Sequence, residues 1–294
     1  MEKESGRVKS IFVYPIKSCR GISLSQAPIT STGFRWDRQW MIVNANGRMI
    51  TQRVEPKLAL IEIELPSEAF SESWEPSSDS YMVIRAPGMD TLKVSLSKPR
   101  DMVEHVSVWN WNGSALDEGA TAAEWLSNYI ASQTRATDPE FANGYKTMFS
   151  DQFPFLLISQ GSLDALNKSL KEPVPINRFR PNILVDGCGP FTEDLWKEIK
   201  INKSTFVGVR LCSRCKIPTI NQETGIAGSE PNETLKELRS DKVLLPNKKP
   251  QGQIYVGQHL VCKDCSTRDR GNVIQVGDPV HVLQQVSSTA EAAA

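Results

Sequence analysis

Ser204–Cys215 reads STFVGVRLCSRC. Its first eight residues, Ser204–Leu211, have strand character, and the strand delivers a Cys-x-x-Cys pair, Cys212 and Cys215, flanked by Arg210, Arg214 and Lys216. Nearby cations favour thiolate over thiol, and the thiolate is both the ligand and the nucleophile. Thiolates suit soft metals. A second pair, Cys262 and Cys265, stands in VCKDC. Four readings remain open on these residues alone. A four-cysteine zinc site is one, although the gap from Cys215 to Cys262 far exceeds the roughly 15–20 residues of a compact zinc ribbon. The others are a redox disulfide outside any thioredoxin-like context, ordinary buried or surface thiols, and a metal cofactor held by one thiolate.

Outward from this stretch the chain alternates short strands with mixed connections. Strands are expected over Val8–Val13, Leu58–Leu65, Tyr81–Arg85, Thr91–Leu96, His105–Trp109, Phe155–Ser159, Asn182–Val185, His259–Val261, Val273–Val276 and Pro279–Leu283. Trp40–Thr51 reads as a hairpin, because Asn46-Gly47 supplies the positive φ a tight turn needs. Pro66–Asp79 reads as a surface loop. Helices are expected after Thr121, which with Glu124 can form a capping box, and over Ser162–Glu172, Thr192–Ile199 and Asn232–Arg239. This pattern predicts an α+β fold: a mixed, barrel-like sheet with peripheral helices, preceded by a β-rich N-terminal domain. The expected division is 1–116, 117–285, and a flexible tail over 286–294.

Composition narrows the function classes. The chain has 294 residues, enough for two ordinary domains. Lys plus Arg and Asp plus Glu balance at 34 each, so no large field draws the chain to nucleic acid or anionic membrane. No run of about 18 apolar residues predicts an integral membrane span. Met1–Ser10 has no apolar stretch, so the default expectation is a cytoplasmic protein whose six cysteines are thiols, ligands or core residues.

Other residues invite an anionic, planar ligand. Lys17-Ser18-Cys19-Arg20-Gly21 follows a strand, and its amides, hydroxyl and two cations could cradle a phosphate or form a polar turn. Arg38, Arg178 and Arg180 sit beside aromatics and prolines, where guanidinium groups grip phosphate and stack on rings. His105, His259 and His281 lack metal-pair spacing. No dinucleotide fingerprint, P-loop or nucleophile elbow occurs.

Several stretches together resemble the amidoxime-reducing component family, most closely its plant members. They are YPIKSCRG (Tyr14–Gly21), GFRWDRQW (Gly33–Trp40), TQRVEPKL (Thr51–Leu58), PFLLIS (Pro154–Ser159), NRFRPNI (Asn177–Ile183), CSRC (Cys212–Cys215), ETG (Glu223–Gly225) and VGDPV (Val276–Val280). The resemblance implies an N-terminal β-rich domain followed by a MOSC domain, the type shared with molybdenum cofactor sulfurases. It implies a molybdenum–molybdopterin cofactor with Cys215 as catalytic residue and molybdenum ligand. Lys17 and Ser18 match positions holding the pterin phosphate end. Arg38, Arg180, Asn182, Ser213 and Arg214 match further cofactor contacts, and His259 stands where the family carries a tyrosine contact. Cys212 matches no ligand position, so Cys212→Ala is expected to keep most activity. Gln152-Phe153 replaces a Thr-Ser pair of animal members, and the segment from Gln133 to Lys146 is shorter than usual.

By resemblance the activity is reduction of N-hydroxylated compounds such as amidoximes and hydroxylamines, and of nitrite to nitric oxide. Electrons would come from NADH through cytochrome b5 reductase and cytochrome b5, and the setting would be the mitochondrial outer membrane. The alternatives are a molybdenum cofactor carrier without turnover and a sulfurase-related protein.

Overall fold

The computed structural model describes residues 4–130, 153–263 and 272–292. The expected features in Gln133–Lys146, at Gln152 and at Cys265 lie outside them.

A seven-stave barrel dominates. Glu4–Val13 pairs antiparallel with Ile183–Asp186, which runs parallel to Phe155–Ser159. Phe155–Ser159 pairs antiparallel with Tyr255–Cys262, then come Ser204–Ser213, Trp196–Ile201 and Pro279–Gln285, each antiparallel to its neighbour. Pro279–Gln285 returns to Glu4–Val13 and closes the ring. The first strand of the chain is therefore a stave among staves drawn from its second half. Closure removes the free edges an open sheet would expose.

Alternation explains what fills the barrel. Ile11, Leu157, Ile183, Val185, Ile201, Phe206 and Val280 are all buried in one apolar cluster. Phe155 meets Phe206 edge to face with ring centroids 5.3 Å apart. Full burial of each such ring contributes about 1.5–3 kcal/mol. Gly208 is required by a close approach: a Cβ there would lie 2.2 Å from the Trp196 carbonyl oxygen.

The N-terminal part adds a three-stranded sheet, Glu62–Glu64, Tyr81–Arg85 and Leu92–Ser95, and a ribbon of Met102–Val108 with Trp111–Leu116. The helix Ala120–Ile130 buries Ala122 and Trp125, and the Trp125 indole donates to the Asp90 carbonyl. Its apolar residues share the cluster that fills the barrel.

Several expectations are met and others corrected. The Asn44–Gly47 turn forms, with Gly47 at φ 72° and Val43 bridged to Met49. The helix begins at Ala120, so Thr121 lies in its first turn instead of capping it. Leu58–Leu65 is not one strand: Pro56 and the Glu55 carboxylate, which accepts from Lys57 N, start a 3-10 turn over Pro56–Leu60, and only Glu62–Glu64 is extended. Thr192–Ile199 is not one helix either. A 3-10 turn ends at Leu195, and Trp196–Ile201 is a barrel stave because two neighbouring strands claim its backbone. Asn232–Arg239 is helical as expected. Thr289–Ala292, in the segment read as a flexible tail, forms a helical turn whose Ala292 is buried with Leu211 and Tyr255. Cys262 is disulfide-bonded, against the expectation that the six cysteines are thiols, ligands or core residues, which also removes it from any zinc-thiolate set. Among the described residues no helix is long and apolar enough to cross a membrane.

Candidate functional site

The nine residues that the resemblance assigned to the site line one open cleft: Lys17, Ser18, Arg38, Arg180, Asn182, Ser213, Arg214, Cys215 and His259. They come from both halves of the chain. Lys17 and Ser18 follow the Glu4–Val13 stave, and Arg180 and Asn182 lead into Ile183–Asp186. Ser213, Arg214 and Cys215 close the Ser204–Ser213 stave, and His259 lies within Tyr255–Cys262.

Cys215 sits at the start of a 3-10 turn, Ile217–Thr219, and Ile217 N donates to its sulfur at 3.4 Å. A half-buried sulfur at a turn start, facing an amide, is placed to act as a thiolate ligand. Its backbone is fixed by Asn232 Nδ2, which donates to the Cys215 carbonyl at 3.0 Å, and by Arg214 N on Ile254 O at 2.8 Å.

The phosphate-loop expectation is only partly met. Lys17 N donates to Trp40 O, Cys19 N to Ile16 O and Arg20 N to Ile61 O, so these three amides are consumed by the fold. Arg20 turns away to Glu62, Glu223 and the Gln222 carbonyl. Cys19 is buried, and burial pushes its thiol up to about 12. Of this loop, Lys17 and Ser18 line the cleft. Gln52, fully buried and paired with Gln222, holds the Ser18 carbonyl through its Nε2 at 2.6 Å.

Arg38 and Arg180 flank Tyr14, their guanidinium carbons 4.7 and 4.2 Å from its ring centre. Arg38 also pairs with the buried carboxylate of Asp37. Arg180 is only 8% exposed, and its Nη2 has no hydrogen-bond partner. Burial holds its pKa below the ordinary arginine value. Ser18, Arg38 and Arg180 all have positive φ, at 69°, 50° and 54°. Non-glycine residues in that region cost about 1–3 kcal/mol each, and such strain clusters where a ligand is held. Asn182 has a different task. Its Oδ1 accepts from Leu156 N and its Nδ2 donates to Phe12 O, stitching two staves together. Arg178 does not reach the cleft lining and donates to Pro218 O.

Cys212, the other half of the Cys-x-x-Cys pair, lines the cleft too, and six lining residues had no site role from the sequence: Thr51, Arg53, Phe153, Leu156, Phe179 and Ile217. Thr51, Arg53, Leu156 and Phe179 fall inside the quoted stretches, so proximity to matched positions was their only signal. Among the described residues the lining contains no carboxylate. Two further buried nitrogens, Arg214 Nε and His259 Nδ1, have no partner. The unpaired arginine donors, Arg180 Nη2 and Arg214 Nε, beside further basic side chains call for an anion to satisfy them. The donor set thus fits a polyanionic ligand whose soft metal meets a thiolate.

Two family models match in chain order: the MOSC N-terminal beta barrel domain over residues 5–133 and the MOSC domain over residues 144–281. Mitochondrial amidoxime-reducing component 1 of Mus musculus is 31% identical over 303 residues, covering 96% of this chain and 84% of that protein. The chain belongs to the amidoxime-reducing component family. The Homo sapiens component 1 is likewise 31% identical, covering 96% of this chain and 85% of the relative. Among solved structures, the YUAD protein of Bacillus subtilis aligns over 97% of this chain and all of that one, at 8% identity with a TM-score of 0.37. The barrel with peripheral helices agrees with the α+β MOSC fold that family membership implies.

Proposed function

We propose that this protein is a molybdenum cofactor-dependent reductase of N-hydroxylated compounds, with Cys215 as the metal ligand. The observation that carries the reading is the convergence of Cys215, Lys17, Arg38, Arg180 and Arg214 on one cleft whose buried Arg180 Nη2 has no partner. The kinship with proteins named as amidoxime-reducing components supports the substrate class.

In this reading Lys17, Ser18 and Arg180 hold the phosphate end, and Arg38 and Arg214 add charge along the pterin. Ser213 and His259 line the ligand's flank, and Asn182 keeps the staves beneath it in register. When bound, the cofactor supplies two-electron removal of oxygen from nitrogen, a chemistry no side chain here provides. The chain's own work is to bind, orient and partly enclose: Cys215 fixes the metal, the cations neutralise the ligand, and Phe153 and Phe179 give the cleft apolar walls. Loss of hydroxyl from R–NHOH consumes two electrons and two protons and yields R–NH2 and water. Electrons arrive from outside, through cytochrome b5 and its NADH-dependent reductase. Nitrite reduction to nitric oxide is a one-electron variant of the same demand. The kinship also favours a mitochondrial outer-membrane setting over the cytoplasmic default.

The test combines cofactor-loaded protein, cytochrome b5, its reductase and NADH with benzamidoxime or hydroxylamine, and in a parallel arm nitrite. Product should require every component. Such redox encounters are small and transient, and those resting on exposed charges weaken as salt rises, so turnover should fall with ionic strength. Bound molybdenum and pterin with no reduction of any substrate, even from a chemical electron donor, would replace this reading with that of a cofactor carrier.

A further inference from the structure

Cys212 matches no ligand position, yet it lines the cleft and is only 6% exposed. Arg214 Nη1 donates to its sulfur at 3.0 Å, while Arg214 Nη2 donates to the Phe179 carbonyl at 2.7 Å. The guanidinium is thereby fixed at two corners, and its remaining Nε is buried and unpartnered. From the neighbouring stave, His259 also faces Cys212 and acts to lower its pKa, and the His259 Nδ1 is buried without a partner. The His259 ring is kept in place by Phe153, centroids 5.1 Å apart. One sulfur thus holds the Arg214 guanidinium and lies beside the His259 imidazole of the neighbouring strand.

We propose that Cys212 is the positioning residue of the site: its sulfur anchors the Arg214 guanidinium, beside the His259 imidazole, so that the unpartnered Arg214 Nε stays available to the bound cofactor. This rests on the reading of the cleft as a cofactor site, and it gives the chain two cysteines with separate tasks, Cys215 for the metal and Cys212 for its surroundings. An anchor that accepts from a guanidinium works best as an anion. Burial pushes the Cys212 thiol up, but Arg214 and His259, by charge and by hydrogen bonds, outweigh it and bring it down to about 6. Leu156 and Phe179, buried in the same cluster as Cys212, are apolar. A thiol whose folded pKa is depressed adds stability that is full above its unfolded value of about 8.5 and is lost as pH falls through about 6.

The test uses the full-length chain prepared without cofactor and carrying Cys215→Ser. Its ultraviolet thiolate absorbance is titrated against the same chain with Cys212→Ser added. The difference should titrate with a midpoint near 6, and Arg214→Gln should raise that midpoint. In an otherwise native, cofactor-loaded chain, Cys212→Ser should release pterin about tenfold faster, the scale of one charged hydrogen bond. An ordinary thiol midpoint that Arg214→Gln leaves unmoved would overturn the proposal, and so would an unchanged release rate. A wild-type chain that holds no pterin would instead overturn the reductase reading, and the titration alone would then decide the Cys212 arrangement.

Discussion

Cys215→Ala should abolish reduction of N-hydroxylated substrates while leaving a folded chain. The expectation of folding follows from how little the Cys215 side chain does for the fold: it is half-buried, and its sulfur accepts one long bond from Ile217 N. The expectation for activity follows from its task. Removing even an outer partner of a metal ligand costs about 10–100-fold in affinity or activity, and removing the ligand itself costs more. Circular dichroism should match the wild type, and turnover should fall below detection. Full activity in this variant would end the assignment. Cys212→Ala separates the two cysteines. Sequence alone predicts that it keeps most activity; its bond to Arg214 lowers that expectation to a partial loss of about tenfold. Equal, complete loss in both variants would favour a two-cysteine metal site.

Arg180→Ala should strip the chain of pterin without destabilising the empty protein. Arg180 is desolvated, and its Nη2 has no partner. In the empty chain it is a liability, and its removal costs little. A charge-assisted bond to phosphate contributes about 1.5–3 kcal/mol, so losing it lowers affinity by roughly 10–150-fold. Lys17→Ala should act in the same direction. Arg38→Ala differs, because Arg38 also neutralises the buried Asp37 carboxylate. Breaking a buried pair costs about 3–5 kcal/mol, so this variant should lose both pterin and melting temperature. Pterin content is measured by fluorescence of the released, oxidised pterin, and stability by thermal unfolding without cofactor. Unchanged pterin content in all three variants would place the anchors elsewhere.

The three variants also show where sequence reading stopped. Lys17, Arg38, Arg180 and Cys215 are far apart in the chain, and only the collinear order of matched stretches brought them together. The cleft contains all of them because the first stave, Glu4–Val13, closes a barrel made by residues of the second half. That closure is a long-range pairing that no local pattern reports. The same cause hid the Trp196–Ile201 stave, whose residues are paired by Pro279–Gln285 some eighty positions later. Locally determined elements were legible: the Asn44–Gly47 turn by its positive-φ residues, the Phe155–Ser159 strand by its apolar run. The chemistry of single groups was legible only in kind. Basic residues beside Cys212 and Cys215 implied a thiolate, but which sulfur the Arg214 guanidinium holds is a matter of three-dimensional reach. Likewise, the Lys17–Gly21 stretch suggested an amide cradle, and its amides proved to be spent on Trp40, Ile16 and Ile61.

The most direct test of the central claim is elemental and pterin analysis of the purified full-length chain beside Cys215→Ala. Molybdenum and pterin are expected in equal amounts, approaching one of each per wild-type chain, with molybdenum lost from the variant. Zinc in place of molybdenum, or molybdenum held equally well without the Cys215 sulfur, would contradict it.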